Sequence, residues 1–146
     1  MSDNKKFIFA KGKRKEAVAR VRLYKELREP LSINGKTVKK GEIFVNGELI
    51  DNYFSGLVSK AYYEEPFKIT NNLGKYTLTV KVEGGGKKSQ LDAFIHGVAR
   101  ALSTIEEKNK QILKKKGFLT RDARVRQRRK VGMGGKSRRK KQSPKR

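Results

Sequence analysis

The chain has 146 residues, 36% of them charged and only 35% hydrophobic, with a formal net charge of +24 and no cysteine. That length suits one domain with an appendage, and so large a charge opposes compaction, so it points to a polyanionic partner, of which phosphate backbones are the commonest. The composition excludes disulfides, thiolate metal sites, cysteine nucleophiles and a membrane-spanning helix, and Met-Ser-Asp-Asn-Lys-Lys at the start precedes no apolar signal core, so a cytoplasmic location is expected.

The first apolar alternation is Ala17, Ala19, Val21 and Leu23, interleaved with Val18, Arg20, Arg22 and Tyr24. Period two reads as a strand with one buried and one basic face. Residues 7–10 are expected to extend it across Gly12-Lys13-Arg14-Lys15 through a bulge or bend. Leu31-Ser32-Ile33 and Lys36-Thr37-Val38 flank Asn34-Gly35, a hairpin signal of type I′. Ile43-Phe44-Val45 is a further strand, closed by Asn46-Gly47.

Residues 51–65 are expected to form a helix with Tyr53, Leu57, Val58 and Ala61 on one side, ended by Pro66. Tyr76, Leu78, Val80 and Val82 alternate with Thr77, Thr79, Lys81 and Glu83, the clearest strand in the chain, and Gly84-Gly85-Gly86 stops it. Ser89 and Asp92 have capping-box spacing. From there Leu91, Phe94, Ile95, Val98, Leu102 and Ile105 recur at helical spacing, marking the main core helix. Thr104 and Glu107 repeat the cap pattern before a shorter helix. Lys114-Lys115-Lys116 and Gly117 supply its cationic end and cap.

After Gly117 the periodicity ends. Phe118 and Leu119 are expected to be the last residues pinned to the core. Residues 1–122 are therefore read as the domain and 123–146 as an extended basic tail, disordered when free, with twelve Lys or Arg and no acid.

Catalytic chemistry has little to stand on. His96 is the only histidine, and a lone helical histidine reads first as a packing or hydrogen-bonding residue. Glu64-Glu65 and Glu106-Glu107 are adjacent on helices and do not face each other. Gly84-Gly85-Gly86-Lys87-Lys88-Ser89 lies where a phosphate loop would, but Lys81 and Lys88 occupy the positions a Walker loop gives to glycine and to Ser or Thr. Backbone amides beside Lys87 and Lys88 still favour an anion there, against the plainer reading of a strand-to-helix turn. No metal, cofactor or small-molecule substrate is implied.

The basic segments carry the signal. Lys11, Lys13, Arg14 and Lys15 cluster ahead of the strand that bears Arg20 and Arg22. Residues 121–130 hold Arg121, Arg124, Arg126, Arg128, Arg129 and Lys130 against Asp122, and 137–141 hold Arg138 and Arg139 with two lysines. Arginine suits bidentate phosphate contacts and stacking on bases. Charge alone also fits a free-standing nucleic-acid condenser, and the glycine turn alone a nucleotide-dependent enzyme.

Three ordered segments resemble one family. They are Gly12-Lys13-Arg14-Lys15-Glu16-Ala17-Val18-Ala19-Arg20-Val21; then Gly84-Gly85-Gly86 with His96-Gly97-Val98-Ala99-Arg100-Ala101-Leu102; then Gly117-Phe118-Leu119-Thr120-Arg121-Asp122 with the basic run to Lys145-Arg146. Together they resemble the bacterial form of the universal small-subunit ribosomal protein number nine. The resemblance implies an α+β fold, a two-layer sandwich of a mixed sheet with helices on one face, similar to the second domain of ribosomal protein number five. It implies a non-enzymatic protein in the head of the small subunit, beside neighbouring head ribosomal proteins and away from membranes. It implies ribosomal RNA contacts through the basic residues named above, and a tail whose Lys145 and Arg146 approach the peptidyl-site tRNA. The chain departs from the family at Gln142-Ser143-Pro144, which lacks an aromatic, at Ile95, where an arginine is usual, and at 25–41, which is longer.

Overall fold

The computed structural model describes residues 7–25, 31–33 and 36–131, with 31–33 and 36 described by their backbone alone. The chain runs β1 (Phe7–Arg14), β2 (Ala17–Tyr24), β3 (Leu31–Ile33), β4 (Lys36–Val38), β5 (Ile43–Val45), β6 (Glu48–Leu49), α1 (Ile50–Tyr53), α2 (Leu57–Ile69), β7 (Thr77–Glu83), α3 (Lys87–Ile105) and α4 (Glu107–Lys115). Five strands form a mixed sheet in the order β1-β2-β7-β5-β6, in which β5 and β7 are parallel and the other pairs antiparallel. The helices pack on one face, giving the two-layer α+β architecture.

The inner face follows from strand alternation. Ala19, Val21 and Leu23 of β2 lie opposite Gly12, Ala10 and Ile8 of β1 and Val82, Val80 and Leu78 of β7, and Ala17 lies opposite Arg14. They meet Phe94, Val98, Ala101 and Leu102 of α3, all fully buried. Residues 7–24 are not one bent strand. They form a hairpin turning at Lys15-Glu16, with Arg14 paired to Ala17 and Lys15 at φ +51°. No glycine or asparagine marks that turn, so its left-handed residue left no signature in the sequence.

Asn46 and Gly47 both have positive φ, as a type I′ turn requires. The Asn46 carboxamide also replaces the strand that β5 runs out of, accepting from Val82 N–H at 2.8 Å and donating to Val82 O at 2.9 Å. The β3 and β4 strands pair antiparallel around Asn34-Gly35, a turn that lies outside the described residues. Their hairpin belongs to the longer segment 25–41. Val38 at its end closes a second, small core with Tyr24 and Phe44 on the outer face of the sheet.

The expected 51–65 helix is two helices, α1 and α2, broken at Gly56. Pro66 does not end α2, which continues to Ile69. The prolyl ring is fully buried, and that burial offsets the hydrogen bond the ring removes. Leu57 and Val58 are 88% and 74% exposed, while Tyr63, Pro66 and Phe67 face the core. The caps also differ. Gly86, without a side-chain cap, is the N-cap of α3, three residues ahead of Ser89. Thr104 lies inside α3 and donates to the Arg100 carbonyl at 3.0 Å. Gly117, φ +79°, closes α4 as expected: its N–H bonds Lys114 O and that of Phe118 bonds Leu113 O, a Schellman pair. Phe118 and Leu119 pack on the core.

One contact sets the separation of the two layers. A methyl carbon on Gly12 would stand 2.9 Å from Gly97 Cα and closer still to the Ala93 carbonyl oxygen. These obstacles are backbone, so they cannot rotate away. Gly12→Ala is expected to destabilise the fold by about 3 kcal/mol or more. Gly86→Ser, where an added Cβ meets nothing within 4 Å, should stay within about 0.5 kcal/mol. Denaturant midpoints of the two variants check both.

Candidate nucleic-acid interface

β1 is an edge strand, so alternate N–H and C=O groups along it lack a strand partner. Because Gly12 and Gly97 let α3 lie against it, side chains of α3 reach those groups. His96 Nδ1 accepts from Lys13 N–H at 3.3 Å, and Arg100 Nη1 donates to Lys11 O at 2.7 Å. His96 also hydrogen-bonds the backbone of Leu119, joining edge strand, core helix and the root of the tail. Burial, reinforced by the Arg100 charge, holds its pKa below 6.5. The neutral ring with Nδ1 as acceptor is the tautomer that this arrangement requires.

Arg14 sits at an inner-face position at the end of β1, so its guanidinium turns toward the helices. Its side chain is only 14% exposed. It pairs with Asp122 at 3.0 Å and Asp92 at 3.6 Å, and donates to the Arg124 carbonyl at 2.8 Å. Asp122 in turn accepts from the Arg124 backbone and guanidinium. The Arg124 hydrogen bonds, with Arg14 adding its charge, hold the Asp122 carboxyl far below the ordinary carboxylate range. Arg14 therefore fastens the start of the tail to the domain.

Gly84-Gly85-Gly86 lies against the β1–β2 turn. A side chain on Gly84 would strike the Glu16 carbonyl, and one on Gly85 would come within 3.1 Å of Ala17 Cβ. Close approach accounts for Gly84 and Gly85 without a ligand. Lys87 folds over the Tyr53 ring, 3.5 Å from its centroid, and donates to Tyr53 O at 3.2 Å. Lys88 is exposed. Hairpin tip, glycine triplet and tail root thus gather at one end of the domain.

Lys11, Lys13 and Arg20 project from the outer face of the sheet and are exposed. Arg20 pairs with Glu83 at 3.1 Å, and Lys81 reaches the same carboxylate at 2.8 Å. Lys15 is exposed at the turn. Arg121, Arg126, Arg128 and Lys130 are exposed and Arg129 half-buried, on a segment without helix or strand. Arg138, Arg139, Lys145 and Arg146 lie outside the described residues. Among the cations named from the sequence, Arg14, Arg20, Lys87 and Arg124 have internal partners. The pairing of Arg14 with Asp92 and Asp122, and of Arg20 with Glu83, was not legible, since no local pattern links residues so far apart. Phe7 and Phe9, also on the outer face, were missed although strand parity would have shown them. Among the described residues no group of three His, Asp or Glu side chains is placed to hold a metal, and no helix is long and apolar enough to cross a membrane.

Asp122→Asn should release the tail root, with amide exchange over residues 118–125 faster by roughly tenfold and the core unchanged. Exchange that stays slow would mean that Arg14 does not anchor the tail. For His96, the unfolded chain takes up a proton near 6.5 and the fold only at lower pH. The unfolded state then binds more protons in that window, so stability is complete above about pH 6.5 and falls as pH drops below it. Melting temperatures between pH 7 and 5.5 should show this slope, and His96→Gln should flatten it.

Comparison with known proteins agrees with this geometry. Residues 12–146 match the family described as ribosomal protein S9/S16. The small ribosomal subunit protein uS9 of Maridesulfovibrio salexigens is 40% identical over 132 residues, 90% of this chain and 92% of the relative. That of Anaeromyxobacter dehalogenans is 41% identical over 85% of each chain, and that of Desulfotalea psychrophila 38% over 88% of each. With Gly12, Gly97, the glycine triplet and the basic tail all inside the matched span, the chain belongs to the ribosomal protein S9/S16 family, as a structural, non-enzymatic protein of the small ribosomal subunit.

Proposed function

We propose that this protein acts in the cytoplasm by binding ribosomal RNA in the head of the small subunit, next to other head proteins, and that its tail reaches the peptidyl-site tRNA. The observation that carries this reading is the fastening of a strongly basic tail to a domain that is itself basic. Arg14, Asp122 and Arg124 hold the tail root beside the hairpin tip, and from residue 123 onward the chain has twelve cations and no acid.

Binding by such a tail is driven by release of counterions from phosphates. The domain supplies Lys11, Lys13, Lys15, Arg20 and Lys88, with Lys87 after it leaves the Tyr53 ring. Arg121, Arg126, Arg128, Arg129 and Lys130 continue the track, followed by Arg138 and Arg139. Anchoring the root lowers the conformational cost of ordering the rest of the tail, so charge is delivered in one direction. Nothing in this mechanism requires a reaction, a cofactor or a metal.

The tail's last residues, Lys145 and Arg146, supply two charges for a tRNA backbone. Small subunits lacking these two residues should assemble normally and bind peptidyl-site tRNA more weakly. The slope of log affinity against log salt should fall by about 1.5, the share of two phosphate contacts. Unchanged affinity and slope would overturn the tRNA contact and leave the ribosomal RNA reading standing.

A further inference from the structure

The helices cover one face of the sheet, and the β3–β4 hairpin covers only the Tyr24–Phe44 end of the other. Among the described residues, nothing else covers that outer face. By register, Phe9 stands opposite Arg22, Lys11 opposite Arg20, and Arg20 opposite Lys81. Directly opposed residues point to the same side, so these form one surface. Phe9 is 56% exposed and Phe7 43%. Single exposed apolar residues are ordinary. Here two phenylalanines stand in line on one strand, among cations.

The two rings differ. Phe7 is engaged: its ring lies 5.8 Å from that of Tyr24, with the Arg22 guanidinium 5.4 Å from its centroid. Phe9 joins no ring or cation pair among the described residues. The outer face of β1, β2 and β7 carries Lys11, Lys13, Arg20, Arg22 and Lys81 against one acid, Glu83, which Lys81 and Arg20 already share. The occupant that complements this face has negative charge and flat apolar surfaces within one molecule. A duplex presents the charge but hides its base faces; an unpaired strand presents both.

We propose that the outer sheet face is a stacking platform for a single-stranded segment of ribosomal RNA. One unpaired base lies on the Phe9 ring, and the flanking phosphates meet Lys11, Lys13 and Arg22. This rests on the ribosomal RNA reading above and adds to it a site separate from the tail. Stacking of this kind tolerates any base, so the face would select an unpaired conformation rather than a sequence.

The chain has no tryptophan, so Phe9→Trp introduces a single reporter at an exposed position that already holds an aromatic. The full-length variant is titrated with a transcript of bacterial small-subunit ribosomal RNA, with binding followed by filter retention and by indole emission. The expected result is retention accompanied by quenching of most of the emission. In moderately high salt, where the tail's contribution is reduced, Phe9→Leu should bind roughly tenfold more weakly and Phe9→Tyr should bind like the parent. These two variants carry the test should the tryptophan variant fold poorly. Retention without quenching, together with an unweakened Phe9→Leu, would overturn the platform and leave the RNA reading intact. Emission that changes only when other small-subunit proteins are added would overturn it in favour of a protein contact. No retention at all would remove both readings.

Discussion

The close passage of α3 over β1 at Gly97 and Gly12 is the contact on which the rest of the domain depends. An edge strand is a row of unpaired backbone groups, and proteins cover or blunt such edges. Here the helix comes so near that no Cβ fits between the backbones. That nearness is what allows His96 and Arg100, one residue before and three after Gly97, to reach Lys13 N–H and Lys11 O. A larger residue at either glycine would lift the helix, and both hydrogen bonds would lengthen together. His96 extends the same arrangement to Leu119, so the path of the chain after α4 is tied to the position of α3.

That coupling explains why one end of the domain carries so much charge without repelling itself. Arg14 follows Gly12 on the inner face and is met by Asp92 from α3 and Asp122 from the tail root. Asp92, Asp122 and Glu83 each have a cation, and Lys11, Lys13 and Lys15 lie outward. The net charge of +24 therefore overstates the surface offered to a polyanion by the domain itself. Arg14 is structural, Arg20 is shared with Glu83, and Lys87 rests on Tyr53. The tail from residue 123 onward has twelve cations and no acid of its own, and Asp122 at its root pairs with Arg124.

Helix α2 shows where periodicity reaches its limit. Leu57, Val58, Ala61 and Tyr62 form one stripe at helical spacing; Tyr63, Pro66 and Phe67 form another. Both satisfy the same pattern. The second is buried because the break at Gly56 rotates the helix relative to α1 and turns Tyr63 toward Asp51, to which its hydroxyl donates. Burial and that carboxylate raise the Tyr63 pKa, so the phenol stays protonated and keeps the bond. The proline that should have ended the helix is instead one of its core residues.

Strand alternation in Ala17–Tyr24 and Thr77–Glu83, the helical repeat of α3 and the Asn46-Gly47 turn were all decided by the sequence alone. Each rests on neighbours within a few residues, where steric preference and hydrophobic period act directly. The family was legible for the same reason, since its motifs are local runs. The hairpin at Lys15-Glu16, the face of α2 and the roles of the cations were decided only by tertiary structure. Gly12 needs Gly97, 85 residues away; Arg14 needs Asp122; Phe9 is a platform only because the helices take the opposite face. A sequence records which groups are charged or apolar, but whether a group is spent inside the fold or left for a partner depends on what the chain later brings beside it.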